Sequence, residues 1–149
     1  FHKGVFSLEI YPIGVIHSPY KRREDAPRQG RHRKNVEFIL EIFPEYAEGL
    51  KDVECASHLI VLYWCHLADR DRLIAYSPGS EEPRGVFACR SPARPNPIAF
   101  CAAKLLRREG NNLYVSGLDA LDGSYIVDIK PYVSEIDAVE NAELTWFRK

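Results

Sequence analysis

Two guanidiniums on a proline-stiffened loop are the first residues of this chain to suggest chemistry. The segment Arg90-Ser91-Pro92-Ala93-Arg94-Pro95-Asn96-Pro97 holds three of the ten prolines. Each fixes its own φ and restricts the residue before it. A planar donor fork on a rigid mount suits a carboxylate or a phosphate, because little entropy is lost when the anion binds. The same residues also suit a stiff turn with solvated arginines, and spacing alone leaves both open. A second segment, Gly117 to Ser124, contains the turn pair Asp122-Gly123. It is either a plain hairpin or a carboxylate with turn amides in reach of ribose hydroxyls. In a third, Ala26-Pro27-Arg28-Gln29-Gly30, a turn and a polar side chain interrupt a basic stretch.

That stretch changes what the overall charge implies. The 149 residues carry 20 Lys+Arg and 21 Asp+Glu, a net −1, which taken as uniform argues against a polyanionic partner. The charge is segregated. From Lys21 to Lys34 there are seven basic residues (Lys21, Arg22, Arg23, Arg28, Arg31, Arg33, Lys34) and two acidic ones, a net +5. From Asp119 to Glu143 there are seven acidic residues and one basic, a net −6. The basic block, with Tyr20 and His32 able to stack on bases, reads either as a solvated loop or as a nucleic-acid contact.

Other chemistries find no support. Cys55, Cys65, Cys89 and Cys101 include no C-x-x-C pair and are expected to be reduced thiols. His58 and His66 stand near Cys55 and Cys65, but in a continuous strand Cys65 and His66 point to opposite faces, so no metal site is expected. The longest apolar run, Leu59–Cys65, is far short of a membrane span, and no charged leader is visible, so a cytoplasmic protein is expected. The nine glycines form no G-x-G, and there is no Gly-Lys-Ser/Thr, so the phosphate loops of Rossmann and P-loop folds are missing.

The elements that must position these loops read mostly as strands. Residues 8–16 are apolar and partly β-branched. Residues 35–43 alternate Val36, Phe38, Leu40 and Ile42 against Glu37 and Glu41, the period of a half-buried strand. Pro44 opens a helical candidate over 45–54. Residues 59–64 suit a strand buried on both faces. Residues 98–108 turn through Glu109-Gly110-Asn111-Asn112 into a strand at 113–115, and 125–132 form one more. Ordinary apolar content and length, with no repeat or linker, point to one mainly β domain over 1–149, a barrel or sandwich with one or two helical insertions.

Taken in order, the blocks resemble one family. Ile13-Gly14-Val15-Ile16-His17-Ser18-Pro19-Tyr20, Pro27-Arg28-Gln29, Leu62-Tyr63-Trp64-Cys65-His66, the Arg90–Ile98 loop, Leu118–Ser124 and Asp128-Ile129-Lys130-Pro131-Tyr132 are similar to the TsaA/TrmO family of S-adenosylmethionine-dependent tRNA methyltransferases. The resemblance runs from about Ile13 to Asp137. It implies a closed, mostly antiparallel β-barrel, a non-Rossmann methyltransferase and a homodimer. It implies methylation of N6 of threonylcarbamoyladenosine beside the anticodon of tRNA. Its cofactor contacts fall on Pro27, Arg28, Gln29, His66, Leu67, Arg90, Phe100, Leu121, Asp122, Gly123 and Ser124. Within it, Arg90 suits the cofactor's carboxylate, Phe100 the adenine face and Asp122 the ribose hydroxyls, with turn amides near Gly123 at the adenine edge. His66 and Asp122 are candidate bases, while the basic block and Arg94 suit the RNA. Two alternatives remain: the same fold acting on another nucleotide or small molecule, and a non-catalytic module binding RNA or S-adenosylmethionine.

Overall fold

Alternation in the sequence becomes a closed wall. The computed structural model describes residues 6–26, 36–77 and 80–147. Six strands close an antiparallel barrel: β1 (Gly14–His17), β2 (Glu37–Ile42), β7 (Asn112–Ser116), β6 (Ile98–Glu109), β3 (His58–Trp64) and β8 (Tyr125–Pro131), which returns to β1. A small two-stranded pair, β4 (Ile74–Ala75) with β5 (Arg84–Gly85), lies between β3 and β6 in sequence. Of the two all-β architectures that the pattern allowed, closure selects the barrel, which leaves no unpaired sheet edge.

Strand β2 shows why closure works. Phe38, Leu40 and Ile42 are buried while Glu37 is exposed, so one face fills the barrel and the other meets solvent. Ile16, Leu59, Val61, Ala103, Leu113, Val115, Leu118 and Ile126 join them in one core. On β3 the outward Ile60 is buried as well, in keeping with its unbroken apolar run. Register shifts between Leu105 and Arg107, and between Leu62 and Tyr63, bend the long strands enough to close. The β6–β7 turn is two residues long, with Gly110 at φ 61°, a sign glycine adopts without steric cost.

Three expectations change. Residues 8–13 are not strand: Leu8 and Ile10 are exposed, and β1 begins only at Gly14. The helix expected over 45–54 is instead two 3₁₀ segments, Pro44–Leu50 and Val53–Cys55, separated by Asp52 in the left-handed region at φ 69°. Leu50 is their buried anchor, so one apolar contact rather than a full amphipathic face fixes them. Strand β3 stops at Trp64, as read from the sequence, and the amide of Ala68 bonds the carbonyl of Cys65, so the continuous strand assumed in weighing a metal at Cys65 and His66 gives way to a turn. The one α-helix among the described residues, α1 (Ser134–Asp137), is a single turn. None of the described helices is long and apolar enough to cross a membrane.

Antiparallel order has a direct consequence for function. Connections 18–36, 65–97 and 117–124 all emerge at the same rim of the barrel, because β1, β7 and β3 run toward it and β2, β6 and β8 run away. Every segment singled out for chemistry lies on one of these connections or at the head of β6. A cleft of about 850 Å³ lined by Ile13, Tyr46, Leu50, Leu59, Ile129 and Tyr132 opens at the opposite rim, away from all of them.

Candidate functional site

The 117–124 connection is tied to the one after β1 by a dense set of hydrogen bonds. Ser18 donates its hydroxyl to the Ala120 carbonyl at 2.7 Å and accepts at that oxygen from the Tyr20 amide at 3.0 Å. The Asp122 carboxylate accepts from the Ser18 amide at 2.8 Å through Oδ1 and pairs with Lys21 Nζ at 2.7 Å through Oδ2. The Lys21 ammonium, then the Ser18 N–H, hold this carboxyl below the usual aspartate range. The amides of Asp122, Gly123 and Ser124 donate to Tyr20, Ile16 and Leu121 carbonyls, and the Ser124 hydroxyl also donates to Leu121. Gly123 sits at φ 83°, as the turn requires. The turn amides expected at an adenine edge are therefore spent on the fold, and both Asp122 oxygens already have partners.

The two arginines of the stiff loop part company. Arg94 is half-buried, and its Nη1 donates to the carbonyls of Cys89 at 2.9 Å and Ser91 at 3.0 Å, bracing its own loop. That engagement ties Nη1 of Arg94, the residue expected to meet the RNA, to its own loop. Arg90 is exposed, with its guanidinium 5.4 Å from the ring centre of Phe100, which is itself 45% exposed at the head of β6. Sequence reading missed Arg70. It donates to the Pro95 carbonyl at 2.8 Å and lies 5.1 Å from the Trp64 ring centre, so it stitches the two limbs of the 65–97 connection together. The indole of Trp146 caps the same region by donating to Ala88 O at 3.1 Å.

His66 and Leu67 are exposed on the turn after β3. Arg23 reaches the Leu67 carbonyl at 3.4 Å, linking the basic block to this turn, while Arg22 faces Asp25 at 3.7 Å. Pro27, Arg28, Gln29, Arg31, His32, Arg33 and Lys34 lie outside the described residues. Among the described residues, no cluster of three or more His, Cys, Asp or Glu is arranged for a metal, and all four cysteines are free thiols.

One constellation at this rim was not anticipated from spacing. Asp119 Oδ1 accepts from the Tyr63 hydroxyl on β3 and from the Cys101 thiol on β6, the latter at 3.3 Å. Burial, reinforced by Asp119, pushes the Cys101 thiol up to about 12 and the nearby Cys65 thiol up to about 11. Burial first, then Cys101 and Asp119, raises the Tyr63 phenol far above its ordinary value. All three stay protonated at neutral pH. The available signal was a carboxylate between two apolar residues, Leu118 and Ala120, both buried here.

Fold and site together define a class: a closed, six-stranded antiparallel β-barrel with its chemistry-bearing loops on one rim and no glycine-rich phosphate loop. Residues 15–138 match the family model for the tRNA-methyltransferase O N-terminal domain. The chain belongs to that family. A protein of Archaeoglobus fulgidus described as a probable S-adenosyl-L-methionine-binding protein is 54% identical over 142 residues, covering 95% of this chain and 38% of its own length. A second protein of that organism, described as an S-adenosyl-L-methionine-binding protein, is 54% identical over 134 residues, covering 90% and 96%. The rat tRNA (adenine(37)-N6)-methyltransferase is 33% identical over 147 residues, covering 92% of this chain and only 33% of the enzyme. A crystal structure of TrmO superposes with a TM-score of 0.78 at 35% identity, over 93% of this chain and 61% of that one.

Proposed function

We propose that this chain is a methyltransferase that uses S-adenosylmethionine to methylate N6 of threonylcarbamoyladenosine beside the anticodon of tRNA. One observation carries the reading: an exposed guanidinium, Arg90, lies beside an exposed ring, Phe100, on the rim where the Leu121–Ser124 and His66-Leu67 segments also emerge. A cation and an apolar face side by side fit the carboxylate and the adenine of that cofactor, and relatives named for binding it support the choice. Bound there, S-adenosylmethionine supplies a methyl group already activated by its sulfonium.

The residues of the chain then have simple tasks. Arg90 holds the carboxylate through a charge-assisted contact worth roughly 1.5–3 kcal/mol. Phe100 packs against the base. The resemblance adds Pro27, Arg28 and Gln29 to the cofactor contacts, and Lys21, Arg22, Arg23, Arg31, Arg33 and Lys34 meet tRNA phosphates. The barrel's main contribution is alignment of the N6 nitrogen with the methyl group. The N6 proton needs an acceptor, and His66, exposed on its turn, remains the candidate. Asp122 is less suited, since the lowered carboxyl is a weaker base and both its oxygens are engaged. The reading carries with it a cytoplasmic homodimer. Exposed Leu67, Phe87 and Tyr125 offer apolar area for a second copy to cover.

Labelled S-adenosylmethionine is incubated with the protein and with tRNA prepared with and without threonylcarbamoyl groups. Label moving only to the modified tRNA is the expected result. Transfer to another nucleotide or small molecule would favour a different substrate on the same fold. Cofactor binding with no transfer to any acceptor would make the chain a binding module.

A further inference from the structure

Arg90 is fixed through its backbone more than through its head group. The guanidinium is exposed and meets the Phe100 carbonyl only at 3.5 Å, so its place follows from the residues it projects from. Each of the two carbonyls just before it is taken by a side chain. Arg94 Nη1 donates to Cys89 O at 2.9 Å from within the loop, and the indole N–H of Trp146 donates to Ala88 O at 3.1 Å from the C-terminal segment. The Trp146 ring also faces Arg84, whose guanidinium carbon lies 5.8 Å from the ring centre. Its two contacts therefore span 84–88, and between them the buried Val86 donates its amide to Leu73 O at 2.9 Å. Among the described residues, Trp146 gives the only side-chain hydrogen bond to the backbone of 84–90 from outside the 65–97 connection.

The segment that carries Trp146 has few other anchors. Strand β8 ends at Pro131 on the opposite rim, and the chain returns past α1 to the 65–97 connection. Along that return Ile136 is 76% exposed and Val139 72%, so little apolar area holds this strap and Trp146 is its tie.

We infer that Trp146 is a positioning residue for cofactor binding: it ties the C-terminal strap to the Ala88 carbonyl and so sets the backbone from which Arg90 reaches the carboxylate of S-adenosylmethionine. This role rests on the cofactor placement proposed above. It has a reciprocal side, because an anion held by Arg90 steadies the 86–89 turn, and the turn in its place holds the strap.

Calorimetric titration of the intact chain tests it, with S-adenosylmethionine and its decarboxylated analogue, which keeps the sulfonium and the nucleoside, as ligands. Trp146→Phe retains a ring for Arg84 and removes the indole donor. It should bind S-adenosylmethionine about 5-fold more weakly than wild type, the size of one hydrogen bond between neutral groups, and bind the analogue as wild type does. Added to Arg90→Ala, it should weaken the parent cofactor no further, because both changes act through one contact. In the unsubstituted protein, exchange of the Trp146 indole proton should slow by a similar factor of about 5 on saturation with S-adenosylmethionine, since linkage is reciprocal, and should not respond to the analogue. Trp64→Phe assigns that proton by removing the only other indole. If Trp146→Phe fails to fold, the exchange measurement decides. Equal weakening of both ligands marks a merely loosened fold and overturns the inference. So do unchanged affinity in Trp146→Phe, additive losses in the double variant, or indole exchange indifferent to S-adenosylmethionine. Undiminished affinity in Arg90→Ala overturns the cofactor placement and this role with it, whereas a weakened Arg90→Ala beside an unaffected Trp146→Phe overturns this role alone. Selective weakening in Trp146→Phe with no methyl transfer to any RNA overturns the proposed activity and leaves the role of Trp146 standing.

Discussion

Arg90 and Arg94 stand four residues apart with the same head group, and their surroundings give them different work. Arg94→Ala leaves the carbonyls of Cys89 and Ser91 without their donor, so it should lower stability by about 1–3 kcal/mol in denaturant titration. Arg90→Ala should leave the unfolding midpoint nearly unchanged and weaken S-adenosylmethionine binding by about 10-fold or more in calorimetry. Unchanged affinity would remove Arg90 from the site. The Asp122–Lys21 pair sets a pH dependence. Because the carboxyl is held low in the folded state, its stabilisation is fully present above the ordinary aspartate value of about 4 and is lost as pH falls through the lower folded value. The stability advantage of wild type over Asp122→Asn should therefore shrink on acidification below about pH 4, measured by thermal unfolding across that range. Lys21 is largely exposed, so the advantage is small at any pH.

At the scale of elements, the barrel closes through contacts that tolerate little change. A Cβ built on Gly14 would overlap the carbonyl oxygen of Glu41 on β2 and crowd Ile126 Cδ1 on β8 at 3.2 Å. Gly14→Ala should therefore cost roughly 1–3 kcal/mol, the usual penalty for overpacking, read from the denaturant midpoint. Strand positions were legible because Phe38, Leu40 and Ile42 alternate and because Gly110-Asn111 announces a tight turn. The segment over 45–54 was not. Its apolar residues suit a helix, and the left-handed Asp52 that splits it has no distinctive local signature. Residues 8–13 misled for a related reason: apolar content reads as strand whether or not a neighbour is there to pair with it.

For the whole molecule, charge acquires direction from the fold. The acidic block begins at the functional rim, where Asp122 pairs with Lys21; β8 then carries Asp128 toward the opposite rim, and Glu135 and Asp137 follow on α1. The described part of the basic block, Lys21, Arg22 and Arg23, stays with the connection after β1, apart from the acidic residues beyond β8. If Lys21 to Lys34 meet phosphates, affinity for tRNA should fall by roughly tenfold or more between about 50 and 200 mM salt. A flat salt dependence in filter binding would place that block in solvent.

The sequence by itself determined the strand pattern, the missing phosphate loops, the charge blocks and the segments in which chemistry was sought. Those depend on residue type and on spacing along the chain. Only the tertiary structure decided which groups remain available. It tied Arg94 Nη1 to its own loop, gave both Asp122 oxygens and the neighbouring amides partners within the fold, and left Arg90 exposed beside Phe100, whose carbonyl it meets at 3.5 Å. It also brought Tyr63, Cys101 and Asp119 together from three separate stretches of chain. Hydrogen bonds between distant residues depend on barrel register and strand direction, and no local spacing encodes them.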